Sequence, residues 1–199
     1  MSKKSNISVA WEMALKAHRN QKWGNHPYTE HLLRVESLLE DYLNSHYDLN
    51  DPVRIAAILH DIVEDTDTTL EKIETWFGEE VEQLVWRLTD EAGANRKERK
   101  EATYPKIAEN REAVLIKLCD RIVNIEYSLE VSSSKVDMYV KDYDNFRESL
   151  YNKSHDLDKV WAHLDQLISY CKGKTGVDFK VYPIMTEYSI QNRSRDSKA

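Results

Sequence analysis

The chain predicts an all-α bundle, and three features of its 199 residues carry that prediction. Charged residues make up 32% of it, only five glycines and four prolines interrupt it, and Leu, Glu, Lys and Ala recur at spacings of three and four. The length suits one domain with a substantial core, which we place at residues 1–172, followed by a polar C-terminal tail at 173–199.

The first helix is expected from about Ser8 to Gln21, with Trp11, Ala14, Leu15 and His18 as a stripe, before Gly24 and Pro27 break the pattern. From Tyr28 the positions Tyr28, His31, Leu32, Val35, Leu38, Leu39, Tyr42 and Leu43 trace a second amphipathic helix with His31 on its apolar side. Asp51-Pro52 reads as an N-cap followed by proline at the first helical position. The helix it launches is expected to carry His60 and Asp61 and to end near Asp65. Thr68 and Glu71 have the form of a capping box, and Gly78 is the expected stop of the short helix behind it. Val81, Leu84, Val85 and Leu88 mark another helix. Residues 91–100 read as a loop entering a polar helix. Ala113 to Ile125 is apolar nearly all round, the pattern of a central helix covered by its neighbours. Two more helices are expected, roughly Lys135 to Tyr151 and Asp156 to Lys172.

Composition also excludes several classes. The N-terminus lacks the apolar core of a signal peptide, and no run approaches the ~18 apolar residues of a membrane span, which predicts a cytoplasmic protein. Cys119 and Cys171 form no Cys-x-x-Cys pair, so they read as packed thiols rather than a disulfide or thiolate site. The net charge of −7 argues against a nucleic-acid-binding surface but leaves room for a local basic pocket.

The stretch Ala56-Ala-Ile-Leu-His60-Asp61-Ile-Val-Glu64-Asp65-Thr-Asp-Thr-Thr is the best clue to chemistry. On a helix of ~3.6 residues per turn it sets His60 beside Glu64 and Asp61 beside Asp65. Asp120 lies among Leu118, Cys119, Ile122 and Val123, and a buried carboxylate needs a cation or hydrogen bonds. A salt bridge to Arg121, Lys117 or Arg34 is one solution, and a packed core histidine is the plain account of His31 taken alone. Together, His31, His60, Asp61 and Asp120 make a mixed nitrogen and oxygen set suited to Mn²⁺, Fe²⁺ or Zn²⁺ with positions left for water. Such chemistry needs a base, a role we expect of Glu64, with Asp65 orienting it. Arg96, Lys97, Arg99 and Lys100 offer a phosphate clamp, against the alternative of a solvated face paired with Glu98 and Glu101. Gly173-Lys174-Thr175 lacks the earlier glycine and the preceding strand of a phosphate loop. The remaining histidines match no ligand spacing.

These residues resemble the HD-domain metallohydrolases, in particular the RelA/SpoT-type hydrolase domain and its small single-domain relatives, the metazoan SpoT homologues. The resemblance covers roughly residues 8–170. It rests on the His60-Asp61-x-x-Glu64-Asp65-Thr segment, Pro27-Tyr28-x-x-His31, Phe77-Gly78-x-x-Val81 and Lys117-Leu-Cys-Asp120-Arg121-Ile-Val-Asn124, in the family's order. It implies an HD fold of about eight to ten helices in which His31, His60, Asp61 and Asp120 hold one divalent metal, usually Mn²⁺. It implies Glu64 and Asp65 at the hydrolytic water, Asn124 near the ribose or phosphates, and, from Tyr-x-x-Phe alone, Tyr143 near the phosphates. The reaction implied is removal of pyrophosphate from the 3′ position of (p)ppGpp, a small nucleotide substrate, with no nucleic-acid or membrane partner. The chain departs from the family in the basic loop before Pro-Tyr, shortened here to Gln21-Lys22-Trp23-Gly24-Asn25-His26, with Lys22 and Trp23 left as its candidate contacts to the base. Leu32 and Val123 replace a proline and a histidine common in the family, without removing a ligand. The altered loop keeps open another phosphorylated nucleotide as substrate, such as NADPH or a second messenger. A non-catalytic nucleotide sensor is a third reading, against which the complete set of ligands and acids speaks.

Overall fold

The computed structural model of the chain describes residues 6–43 and 51–173, so the expected tail, 173–199, lies outside the described residues except for Gly173, as does His46. Its helices are α1 (Asn6–Ala17), α2 (Tyr28–Leu43), α3 (Pro52–Leu59), α4 (Ile62–Asp65), α5 (Leu70–Phe77), α6 (Glu79–Leu88), α7 (Arg96–Ala108), α8 (Arg111–Glu130), α9 (Lys135–Leu150) and α10 (Asp158–Cys171). The fold is all-α, as the composition predicts. Between α1 and α2 lies a two-stranded hairpin, β1 (Lys22–Trp23) and β2 (His26–Pro27), pairing Trp23 with His26. Periodicity does not reveal so short a pair. Among the described residues no helix is long and apolar enough to cross a membrane.

Helix α8 is the axis of the bundle. Every residue from Ala113 to Val123 is buried, because α8 packs against α2, α7, α9 and α10 at once. An apolar circumference is stable only where neighbours cover all sides of a helix, and each Leu or Ile buried there contributes about 1.5–3 kcal/mol. Its N-cap is Asn110, whose side chain accepts from the Ala113 N–H at 2.8 Å. Helix α2 packs on α8 and α3, and α3 packs in turn on α1 and α6. This arrangement holds the three segments bearing His31, His60 and Asp120 side by side. The buried Arg54 guanidinium on α3 donates to Glu36 on α2, with Nε to Oε1 at 3.2 Å, and reaches Glu40 as well, tying the two histidine-bearing segments together.

Asp51 caps α3 as its sequence predicts, accepting from the N–H groups of Val53 and Arg54. The structure corrects the sequence reading in two places. The helix expected to run through His60 to Asp65 ends at Leu59 and resumes as α4 at Ile62. The His60 ring takes the Ala57 carbonyl at 2.8 Å, the acceptor that a continuing helix would offer to the Asp61 N–H. Asp61 sits at φ −102°, ψ 0°, outside regular helix, and its carbonyl still accepts from the Asp65 N–H at 3.0 Å. The capping box from Thr68 does not form either. Thr69 is the N-cap of α5, and the Thr68 hydroxyl is engaged by the Thr66 hydroxyl at 3.1 Å. Gly78 ends α5 at φ +91°, as expected of a glycine at that boundary.

Candidate metal and catalytic site

His31 on α2, His60 at the end of α3 and Asp120 on α8 are all buried, and one ligand atom from each lies within 4.8 Å of the other two. The two Nε2 atoms face each other at 3.3 Å. Asp61 Oδ2 lies 2.9 Å from the His60 Nε2 and 3.7 Å from that of His31, while Asp120 Oδ1 is 3.4 Å from the latter. Nδ1 of His60 donates to the Ala57 carbonyl, which fixes the tautomer of the neutral ring and makes Nε2 the nitrogen that can bind a proton or a metal. Two imidazole nitrogens and two carboxylates converging on one point repel one another unless a cation sits between them. This donor set fits a divalent metal.

The electrostatics agree with that geometry. Burial depresses the basicity of His60, but Asp61 and Asp120 outweigh it and push the imidazole up to about 9; His31 is raised in the same way by Asp120 and Asp61. Burial works against ionisation of both carboxyls, yet the facing imidazoles hold Asp61 well below the usual range, and Lys117 with the imidazoles does the same for Asp120. A proton shared inside the cluster stands where a metal would supply the positive charge.

Around this cluster the side chains are fixed by partners. Of the three cations that could pair with Asp120, the structure selects Lys117, whose Nζ is 2.8 Å from Oδ2. Arg121 turns instead to the Tyr104 hydroxyl and Asp142, and Arg34 to Glu30 and Glu130. Asn124 donates to Asp120 Oδ1 at 2.6 Å. The Tyr28 hydroxyl donates to Asp61 Oδ2. Glu64 is exposed and Asp65 is held by Gln21, whose Nε2 donates to Oδ2 at 2.8 Å. Partial burial, then the neighbouring Asp90 charge, raise the Glu64 carboxyl above the usual range, and the Asp90 N–H donates to its Oε2 at 3.1 Å.

The structure does not bring every expected contact to this point. Tyr143 is buried with its hydroxyl donating to Asp165 on α10, so it does not face the cluster. Tyr139, one turn earlier on α9, is raised by burial and then by the Asp120 charge, which Tyr28 feels as well. Lys100 is also corrected: it is 8% exposed and its Nζ donates to both oxygens of Asp90, at 2.6 and 2.8 Å. Burial first, and then the nearby Lys117 charge, lower its ammonium to about 8. Arg99 lies 3.8 Å from the same carboxylate and Arg96 3.7 Å from Asp142, while Lys97 pairs with Glu101 on the open face. Lys22 is exposed on β1. Trp23 stacks on Tyr127 with centroids 3.9 Å apart and donates its indole N–H to Asn124 Oδ1 at 3.2 Å. Sequence reasoning missed Gln21 and Asp90, which carry no periodic signal, and took Tyr28 for an apolar stripe residue although it stands in the Pro-Tyr-x-x-His motif.

Comparisons with known proteins bear on the family and the fold. The sequence model of the HD domain matches residues 10–143. The guanosine-3′,5′-bis(diphosphate) 3′-pyrophosphohydrolase of Drosophila melanogaster is 32% identical over 148 residues, covering 68% of this chain and 79% of that protein. The enzyme of the same name from Aquifex aeolicus is 37% identical over 125 residues, 60% of this chain but 17% of the much longer relative. A solved structure of a metazoan ortholog of SpoT that hydrolyses ppGpp superposes with a TM-score of 0.71 at 26% identity, covering 88% of this chain and 99% of that one.

Proposed function

The chain belongs to the HD domain family, and from that premise we propose that it is a Mn²⁺-dependent hydrolase that removes the 3′-diphosphate of (p)ppGpp, releasing pyrophosphate and GDP or GTP. The observation that carries the proposal is the convergence of the His31 and His60 Nε2 atoms with Asp61 and Asp120, next to the acids Glu64 and Asp65. Its substrate is proposed from the relatives, which are named for this reaction.

His31, His60, Asp61 and Asp120 would hold the ion. A bound divalent metal lowers the pKa of water and neutralises charge developing on phosphate oxygens. Glu64 takes the proton of the attacking water, a task suited to a carboxyl whose pKa is raised toward neutrality. Asp65, kept in one orientation by Gln21, aligns that water. Lys22, Arg96, Lys97 and Arg99 carry their charge at or near the surface and meet the substrate phosphates. Lys100 supports them from behind through Asp90. Tyr28 holds Asp61 through a hydroxyl that stays protonated, since burial and then Asp61 itself raise its pKa.

The packing of Trp23 against Tyr127 and Asn124 favours a second reading of the substrate, because it leaves the shortened loop without the basic contacts that the family makes to the base. On that reading the same site cleaves another phosphorylated nucleotide. Incubation of the purified protein with ppGpp, NADPH and a nucleotide panel, with Mn²⁺ and with chelator, tests both. Pyrophosphate and GDP from ppGpp in the Mn²⁺ arm alone is the expected result. Cleavage of a different nucleotide would transfer the assignment to the second reading, and no Mn²⁺-dependent cleavage would refute an enzymatic role.

A further inference from the structure

We propose that Trp23 is a positioning residue for the metal-binding carboxylate, acting through Asn124, and not a platform for the base. The inference rests on the assignment of Asp120 as a metal ligand. Two hydrogen bonds run from the hairpin to the cluster, Trp23 Nε1 to Asn124 Oδ1 at 3.2 Å and Asn124 Nδ2 to Asp120 Oδ1 at 2.6 Å, and Asp120 Oδ1 lies 3.4 Å from His31 Nε2.

Donor chemistry gives this chain a direction. An indole N–H only donates, so the Asn124 oxygen must face Trp23, and the amide NH₂ is thereby turned to Asp120. Without the indole, Nδ2 keeps the Asp120 oxygens as acceptors, but Oδ1 loses the donor that pins the far end of the amide, which is then free to swing off the carboxylate. The second oxygen of Asp120 is already taken by Lys117 at 2.8 Å, so Asn124 decides where Oδ1 points. Asn124 Nδ2 also donates to the Asp120 carbonyl at 3.0 Å, which holds the amide one turn along α8 from its target.

The hairpin is built to keep the indole in place. Trp23 stacks on Tyr127, one turn beyond Asn124 on the same helix, and Arg34 lies 5.2 Å from the indole centroid. Gly24 adopts φ +57°, and a Cβ there would fall 1.8 Å from the Tyr127 hydroxyl oxygen, so the turn is pressed onto α8 at the one position lacking a side chain. The Asn25 N–H reaches the same hydroxyl at 3.4 Å. A hairpin secured this closely has its tryptophan committed to α8. The shortened loop of this chain thus exchanges base recognition for control of the metal site.

The test is Trp23→Phe, which keeps an aromatic ring against Tyr127 and removes the N–H together with part of the ring system. Titration with Mn²⁺ followed calorimetrically is expected to show a three- to tenfold loss of affinity, somewhat below the ~10–100-fold typical of partners bonded directly to a ligand. Tyr127→Phe, which retains the stack and the relay, is expected to bind Mn²⁺ as the wild type does. In ¹⁵N-labelled protein without metal, one side-chain amide pair, assigned by its absence from Asn124→Ser, is expected to be protected from exchange in the wild type and unprotected in Trp23→Phe. Unchanged Mn²⁺ affinity in Trp23→Phe, or persistence of the protected pair, would overturn the proposal. Failure of the metal assignment looks different, since the wild type itself would then bind no Mn²⁺.

Discussion

The role proposed for Glu64 depends on its surroundings as much as on its identity. Partial burial and the charge of Asp90 raise its pKa, while the Asp90 N–H orients one oxygen. Glu64→Gln preserves the shape and loses the base, and is expected to leave Mn²⁺ affinity within about twofold while kcat falls by 10²–10⁴, the usual share of a general base. Full activity in steady-state kinetics would reject the assignment. Lys100 offers a test by pH. Burial lowers its ammonium to about 8, so its positive charge is near complete well below that pH, half lost at it and fading above it. KM for an anionic substrate is therefore expected to rise between pH 7 and 9, and Lys100→Arg, which stays charged, is expected to flatten the profile. An identical profile in the arginine variant would reject the supporting role of Lys100 behind the surface cations.

At the scale of elements, local rules succeed where one signal dominates and fail where side chains compete with the backbone. Asp51-Pro52 starts α3 because the carboxylate takes two free N–H groups and proline needs none. Tyr28 to Leu43 is a helix over the span its apolar stripe predicts. The break between α3 and α4 has no such signal, because it arises when the His60 ring occupies the Ala57 carbonyl. The β1–β2 hairpin depends on a glycine whose absent side chain is a contact surface. Gly24→Ala is expected to cost at least about 1–2 kcal/mol from the left-handed backbone alone, with the Tyr127 clash added. A lowered melting temperature and a shift of tryptophan emission toward that of exposed indole would register the loss, and unaltered spectra and stability would contradict this account of the turn.

The whole molecule couples its stability to the charge at the cluster. His60, and His31 with it, have folded-state pKa values above the unfolded 6.5, so the stability they contribute is complete below pH 6.5 and is lost as pH rises, through about 9 for His60. Metal binding needs the deprotonated imidazoles and runs the other way. In thermal denaturation with chelator, the protein is expected to lose stability between pH 6 and 8 by way of this site. Saturating Mn²⁺ is expected to raise the melting temperature more at pH 8 than at pH 6, with ~2.7 kcal/mol gained when the free ion is 100-fold above its Kd. An Mn²⁺ effect equal at both pH values, or absent, would argue against the cluster as the binding site.

Sequence by itself determined the all-α class, the order of the helices and the central place of α8, because those follow from periodicity and from caps that act within one turn. It also brought His31, His60, Asp61 and Asp120 under suspicion together, since a buried acid and paired donors leave a chemical mark on the chain. Only the tertiary structure decided what each group touches. Tyr28 reaching Asp61, Gln21 reaching Asp65, Asp90 standing between Glu64 and Lys100, and Tyr143 turned toward Asp165 all join residues far apart in the chain. Such contacts are set by how the helices and the hairpin pack, and a side chain's partner 10 to 44 residues away depends on packing that no local pattern encodes.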